Sequence, residues 1–99
     1  MLRNKLEPVI ERPVVLGTVL AARKNFVEIS IGSDDGMAVG EQLDVFRDDE
    51  FLGRVIIRRV GPDRSVAEVI PELRKGIIQK GDKVRAKARY IERDPKIEP

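Results

Sequence analysis

The side chains best suited to binding chemistry in this 99-residue chain are four cations near its end. Lys83, Arg85, Lys87 and Arg89 occupy every second position, so on a β-strand they would project from one face at intervals of about 6.6–6.8 Å. This spacing is comparable to that of phosphates along a nucleic acid, which makes the row a candidate anion-binding site. Nucleic-acid-binding barrels usually add stacking aromatics, and the nearby Tyr90 has the opposite parity. A strand edge protected by solvated cations explains the row equally well.

Acidic side chains are the second group with chemical potential. A calcium site needs six to eight converging oxygen ligands, commonly from alternate positions of one loop. The spacing here does not match that pattern, so we interpret these residues as solvated turn acids and expect no metal site. The carboxylates concerned are Asp34, Asp35, Asp48, Asp49 and Glu50.

Catalytic side chains are scarce. The chain has no histidine and no cysteine, which excludes a conventional triad, a cysteine nucleophile and a disulfide. Ser30, Ser33 and Ser65 have no base at a recognisable motif spacing, and no glycine-rich run is followed by Gly-Lys-Ser/Thr. We therefore expect a protein that is not an enzyme and that takes no cofactor.

Composition indicates one small domain. Hydrophobic residues make up 41% of the chain and charged residues 36%, enough apolar material for one core beneath a charged surface. Nineteen Lys and Arg against 17 Asp and Glu leave a net charge of +2, which is too small to indicate nucleic-acid binding by itself.

The elements that would position these side chains are short strands. Residues 1–13 contain Pro8 and Pro13 and are interpreted as a polar arm or linker, and residues 91–99 as a tail. Between them, period-two alternation and Gly-rich turns predict an all-β domain over residues 14–90, with no sustained helical period. We predict a mostly antiparallel six-stranded β-barrel, because a flat sheet would leave exposed edges. The predicted strands cover residues 14–22, 26–31, 43–45, 51–60, 65–70 and 83–89, and Gly53 is expected to mark a bulge.

The same alternation predicts a candidate interface. If Val27, Ile29 and Ile31 line the core, Phe26 must face outwards, and equivalent arguments turn Phe46 and Ile56 outwards. Brought together by neighbouring strands, these three side chains would form an apolar patch suited to a partner. Alternatively, they cap an open end of the barrel or lie beneath the arm.

Five segments together resemble a known family. They form a Gly-bounded turn, a strand, a returning strand with Leu52-Gly53-Arg54, and a Gly81-Asp82 turn before the closing strand. This series resembles an uncharacterised bacterial β-barrel module of planctomycete-type proteins. It is more distantly similar to the C-terminal β-barrel of the flagellar assembly protein T family and to the β domain of rod-shape-determining protein C. The segments are residues 32–40, 43–47, 51–55, 62–67 and 78–84.

The resemblance implies a non-enzymatic structural module within larger, envelope-associated assemblies. No apolar run is long enough to span a bilayer, and the N-terminus does not match a signal peptide. These features predict a cytoplasmic location if the 99 residues are the whole chain, and the cell envelope if they are a fragment of an exported protein. Our functional hypothesis is a structural or interaction module with protein partners or self-association; the alternative is a small basic barrel that binds nucleic acid through its last strand.

Overall fold

The computed structural model describes residues 7–93, which form eight β-strands and two single-turn 3-10 helices. Over these residues no helix is long and apolar enough to cross a membrane. The 3-10 helices, Ser33–Asp35 and Pro71–Leu73, lie in connections between strands. The strands are β1 (Glu7–Arg12), β2 (Val15–Arg23), β3 (Phe26–Ile29), β4 (Gln42–Arg47), β5 (Glu50–Val60), β6 (Ser65–Val69), β7 (Lys83–Ala86) and β8 (Arg89–Arg93).

Six of these strands close into a barrel in the order β2-β3-β6-β5-β4-β7, and every neighbouring pair is antiparallel. The predicted six-stranded antiparallel barrel is therefore confirmed. Closure removes the unpaired edges that an open sheet would expose. The core fills the barrel, and each strand contributes at least one side chain that is essentially inaccessible to solvent. These side chains are Val19, Ile29, Leu43, Val45, Val55, Ile57, Ala67 and Val84.

Alternation places the core residues as the sequence predicts. Val27, Ile29 and Ile31 are all buried, although the hydrogen-bonded strand β3 ends at Ile29, two residues earlier than predicted. Beyond this point the Ile31 carbonyl accepts a hydrogen bond from the buried Ser65 hydroxyl at 2.8 Å. This contact adds to the backbone hydrogen bond from the Ser30 N–H to Thr18 O at 3.0 Å, and together they hold the chain where β3 ends.

The predicted bulge at Gly53 is also present. Pairing between β4 and β5 shifts register between Val45 and Phe46, opposite Gly53. Gly53 has φ +155°, which only glycine adopts readily, and a Cβ there would lie 3.3 Å from the Arg74 Cα. The bulge thus lets the loop after β6 pass directly over β5.

An ion pair fixes the turn that begins β7. Arg47 donates from Nε to Asp82 Oδ1 at 2.8 Å and from Nη2 to Oδ2 at 3.1 Å, and the Gln79 backbone N–H donates to Oδ2 at 2.7 Å. Burial raises the pKa of Asp82, but these hydrogen bonds to its charged form outweigh burial, so its pKa lies below the ordinary value. The Gly81-Asp82 turn is consequently held in one geometry.

The predicted arm and tail pair with each other, which the sequence analysis did not foresee. β1 and β8 form a separate antiparallel ribbon, with Val9 opposite Ile91 and Ile10 opposite Tyr90. Pro8 is tolerated because an edge strand does not need every N–H. The ribbon comprises Glu7–Arg12 and Arg89–Arg93; residues 1–6 of the arm and 94–99 of the tail lie outside the described residues.

The prediction of one continuous final strand over residues 83–89 was wrong. β7 ends at Ala86, the chain leaves the barrel through Lys87 and Ala88, and Arg89 already belongs to β8. The physical reason is that the pairing of β7 with β2 and β4 ends at this point, so the chain has no barrel strand to pair with beyond Ala86. Beyond Ala86 the chain takes β1 as its new partner.

Candidate functional site

Three of the four predicted cations project together from the barrel. Val84 and Ala86 are fully buried, so Lys83, Arg85 and the following Lys87 point outwards and are exposed. They stand beside the outward side chains of β2, where Leu16 pairs directly with Arg85. We call this surface the β2–β7 face; it comprises Val14, Leu16, Phe46, Lys83, Arg85 and Lys87.

Arg85 already contacts other side chains of its own barrel. Its guanidinium lies 4.7 Å from the centroid of the Phe46 ring, and its Nη2 is 3.5 Å from Asp44 Oδ2. Asp44 also accepts a hydrogen bond from Arg54 Nε at 2.9 Å. Although Asp44 faces outwards, two arginines from the flanking strands cover it, which accounts for its burial.

Lys83 and Lys87 remain available to a ligand. Lys83 Nζ lies 3.4 Å from the Thr18 hydroxyl, and within residues 7–93 neither lysine forms an ion pair. Because an ammonium group interacts strongly with an opposite charge once partly desolvated, these two lysines can attract an anionic group. They stand on either side of Arg85.

Exposed apolar side chains accompany these cations. Leu16 has 70% of its surface accessible and Val14 51%, so both offer apolar contact area beside the cations. Phe46 is half-buried and packs edge-to-face on Phe51, with ring centroids 5.8 Å apart. The β2–β7 face therefore combines apolar contact area with positive charge.

A cleft of about 260 Å³ opens within this face. It is lined by the apolar residues Leu16, Phe46 and Val84, by the cationic residues Lys83 and Arg85, and by Asp48 and Asp49 of the β4–β5 turn. The volume is below the roughly 300–1,000 Å³ typical of small-molecule sites, and the cleft is open to solvent. It suits an inserted side chain better than a cofactor.

Arg89, the fourth predicted cation, does not join the row. Its Nη2 donates to Glu41 Oε1 at 3.0 Å, and its Nε lies 3.9 Å from Glu11 Oε1. Glu41 also pairs with Arg12 at the base of the ribbon. Arg89 therefore stabilises the junction between ribbon and barrel. The candidate anion-binding site is reduced to Lys83, Arg85 and Lys87.

The predicted apolar interface is only partly assembled. Phe26 on β3 and Ile56 on β5 both pair with Glu68 of the intervening strand β6, so they share an outer surface. Phe46 lies on β4, beyond β5, and belongs to the β2–β7 face instead. Phe26 is 47% exposed, whereas Ile56 and Phe46 are half-buried. The structure thus divides these three residues between two surfaces.

Sequence reasoning did not select Leu16 or the apolar residues of the ribbon. For Leu16 the sequence does carry a signal. Val15, Gly17 and Val19 occupy alternate positions of one strand face, so Leu16 must lie on the other, outer face. For Ile10 and Tyr90 no local signal existed, since their exposure depends on a pairing across almost the whole chain.

The side chains of the β2–β7 face can bind a partner. Among residues 7–93 there is no group of three or more His, Cys, Asp or Glu side chains that could hold a metal ion. The cleft, lined by Leu16, Phe46, Lys83 and two aspartates among others, is instead suited to recognising a side chain by shape and charge.

Comparison of the chain with protein-family models, with curated proteins and with solved structures found no match. The resemblance to the bacterial barrel module therefore stays a prediction from the sequence.

Proposed function

We propose that this barrel is a non-enzymatic interaction module that associates with further copies of itself. The observation that supports it best is the ribbon, whose Ile10 and Tyr90 are each 57% exposed and whose Ile91 is 47% exposed. Its two strands pack chiefly on each other and make few contacts with the barrel strands. An isolated two-stranded ribbon is marginally stable in water, and packing against a further surface would stabilise it.

A second surface with exposed apolar residues also favours self-association. The β2–β7 face exposes Leu16 and Val14, so apolar area is available both on the ribbon and on the barrel. The predicted similarity to modules of larger assemblies, including envelope-associated ones, points in the same direction.

Light scattering after size-exclusion chromatography, from micromolar to millimolar concentration, tests this proposal. We expect the average mass to rise with concentration and the rise to shrink in an Ile10→Ser variant, because apolar contact area is lost. Phe26→Ser is the matched control: it removes an exposed apolar side chain that lies beside β6, outside the ribbon and the β2–β7 face, and should leave the mass curve unchanged. A strict monomer over the whole range would reject self-association.

Nucleic-acid binding is the second candidate, favoured by the alignment of Lys83, Arg85 and Lys87. We expect weak affinity, because Arg85 covers the ring of Phe46, the aromatic side chain of this face, and blocks stacking on that side. With three phosphates of a single strand neutralised, the slope of log affinity against log salt should be about −2.

Fluorescence anisotropy with a labelled single-stranded oligonucleotide measures this slope. Replacing Lys83 and Lys87 by Glu should abolish the weak binding, whereas the same change at Lys24 and Lys75 should preserve more of it. Sub-micromolar binding at physiological salt that depends on Lys83 and Lys87 would make nucleic acid the preferred partner.

A further inference from the structure

One face of the ribbon combines an apolar patch with a single negative charge. Residues opposite each other in an antiparallel pair share a face, so Ile10 and Tyr90 lie together, and Pro8 and Glu92 follow on the same side. All four are exposed. We call this the Tyr90 face of the ribbon.

The cleft in the β2–β7 face has the complementary chemistry. Leu16 in its lining suits an aromatic ring, and the Arg85 guanidinium, which already lies over Phe46, can stack on a second ring. Asp48 and Asp49, which also line the cleft, offer acceptors for a hydroxyl group. A tyrosine, which is apolar along its body and a hydrogen-bond donor at its tip, matches this arrangement.

We propose that the ribbon of one copy docks on the β2–β7 face of another, with Tyr90 inserted in the cleft. The ring then packs against Leu16 and against the Arg85 guanidinium that covers Phe46 in the second copy, and the hydroxyl donates to Asp48 or Asp49. Glu92 comes next to the lysines of the row, so the charges of the two surfaces are complementary. This inference rests on the proposed self-association and specifies its contact.

The occupant of the cleft comes from a different molecule because the ribbon does not lie on its own barrel: its two strands pack chiefly on each other. Arg12 donates to the carbonyl oxygens of Gly36 at 3.0 Å and Lys87 at 2.7 Å, and it also pairs with Glu41. These contacts fix the base of the ribbon within three residues of Tyr90 along the chain. Since the donor and acceptor surfaces differ, each copy can use both, and the contact can repeat from copy to copy.

Two single variants separate the surfaces. Leu16→Glu places a charge in the cleft but leaves the ribbon intact, and at 70% exposure Leu16 contributes little to the core. Tyr90→Ser removes the inserted ring but leaves the cleft intact. We expect each variant alone to remain monomeric by sedimentation velocity at concentrations where the natural sequence associates. An equimolar mixture of the two should form a one-to-one dimer, because each partner supplies the surface that the other lacks.

Tyrosine fluorescence gives an independent readout, since Tyr90 is the single tyrosine and the chain has no tryptophan. Iodide quenching of this fluorescence should weaken as the protein concentration rises. Tyr90→Phe keeps the ring and the ribbon packing but loses the hydroxyl that donates to a carboxylate, so association should weaken by about tenfold or more. Far-UV circular dichroism checks that each variant is folded.

The outcomes distinguish this inference from the general proposal. If the natural sequence associates but Leu16→Glu and Tyr90→Ser associate equally well, the docking inference is wrong and self-association stands. A mixture that stays monomeric also overturns the docking inference. If the natural sequence is monomeric at millimolar concentration, both proposals are rejected.

Discussion

Replacing Gly32 with alanine is expected to lower the free energy of unfolding by at least about 3 kcal/mol, the upper end of the range for overpacking a well-packed site. A Cβ at this position would lie 2.2 Å from the carbonyl oxygen of Gly61, 2.7 Å from the Arg64 nitrogen and 2.8 Å from the Pro62 carbonyl carbon. All three are backbone atoms, so no side chain can rotate away to make room.

Hydrogen bonds between the two loops prevent the backbone from yielding. The N–H of Ser33 donates to Gly61 O at 2.9 Å, and the N–H of Asp34 donates to Pro62 O at 2.8 Å. Moving the loops apart would break both bonds. Relieving the clash therefore costs the free energy of these two hydrogen bonds. The alanine substitution destabilises the barrel whether or not the loops move.

Urea denaturation followed by far-UV circular dichroism measures this effect, and thermal unfolding should show a fall in Tm of roughly 4–8 °C per kcal/mol. Gly40→Ala is the matched control. Gly40 has φ +92° but nothing within 4 Å of an added Cβ, so it should lose only about 1 kcal/mol through backbone strain. If Gly32→Ala were no less stable than Gly40→Ala, the steric argument would fail.

The barrel could be predicted because its signals are local. Alternation over a few residues separates inside from outside, as for Val27 and Ile29, and glycine-rich turns divide one strand from the next. The bulge at Gly53 was likewise visible as a glycine interrupting an apolar strand. These features depend on neighbours in the chain, which a sequence displays directly.

The ribbon could not be predicted in this way because its two strands are about 80 residues apart. Glu7–Arg12 reads as a polar segment with a proline, and its strand conformation depends on pairing with Arg89–Arg93. The same limit applies to the candidate interface. Parity turned Phe26, Phe46 and Ile56 outwards, but only the order of strands around the barrel decides which outward residues are neighbours.

Replacing Glu41 with glutamine is expected to release the ribbon from the barrel while leaving the barrel folded. Glu41 Oε1 accepts from Arg12 Nη1 at 2.8 Å and from Arg89 Nη2 at 3.0 Å, and the Arg12 side chain is only 9% exposed. Removing the negative charge leaves a buried guanidinium unpaired beside a second cation, which costs about 3–5 kcal/mol if the structure cannot open.

This structure can open, because the ribbon makes few contacts with the barrel beyond its base. Detachment exposes Arg12 to water and relieves the unpaired charge, so the cost appears as local opening more than as global unfolding. We expect amide hydrogen exchange in β1 and β8 to accelerate by about 100-fold, as loss of about 3 kcal/mol of local stability implies. Exchange in the barrel core, for example at Val45 and Val55, should change little.

Glu28→Gln is the matched control for the Glu41 variant. Glu28 pairs with Arg64 at 3.3 Å on an exposed surface, where an ion pair contributes less than about 1 kcal/mol, so ribbon exchange should be unaffected. Arg12→Lys tests the geometry from the other side: it keeps the charge, but an ammonium group cannot hold the three acceptors at Gly36, Glu41 and Lys87 as a planar guanidinium does. Slow exchange in β1 and β8 of both Glu41→Gln and Arg12→Lys would show that strand pairing alone fixes the ribbon. Fast exchange in both would show that its orientation, on which docking to a second copy depends, is set by the buried contacts of Arg12.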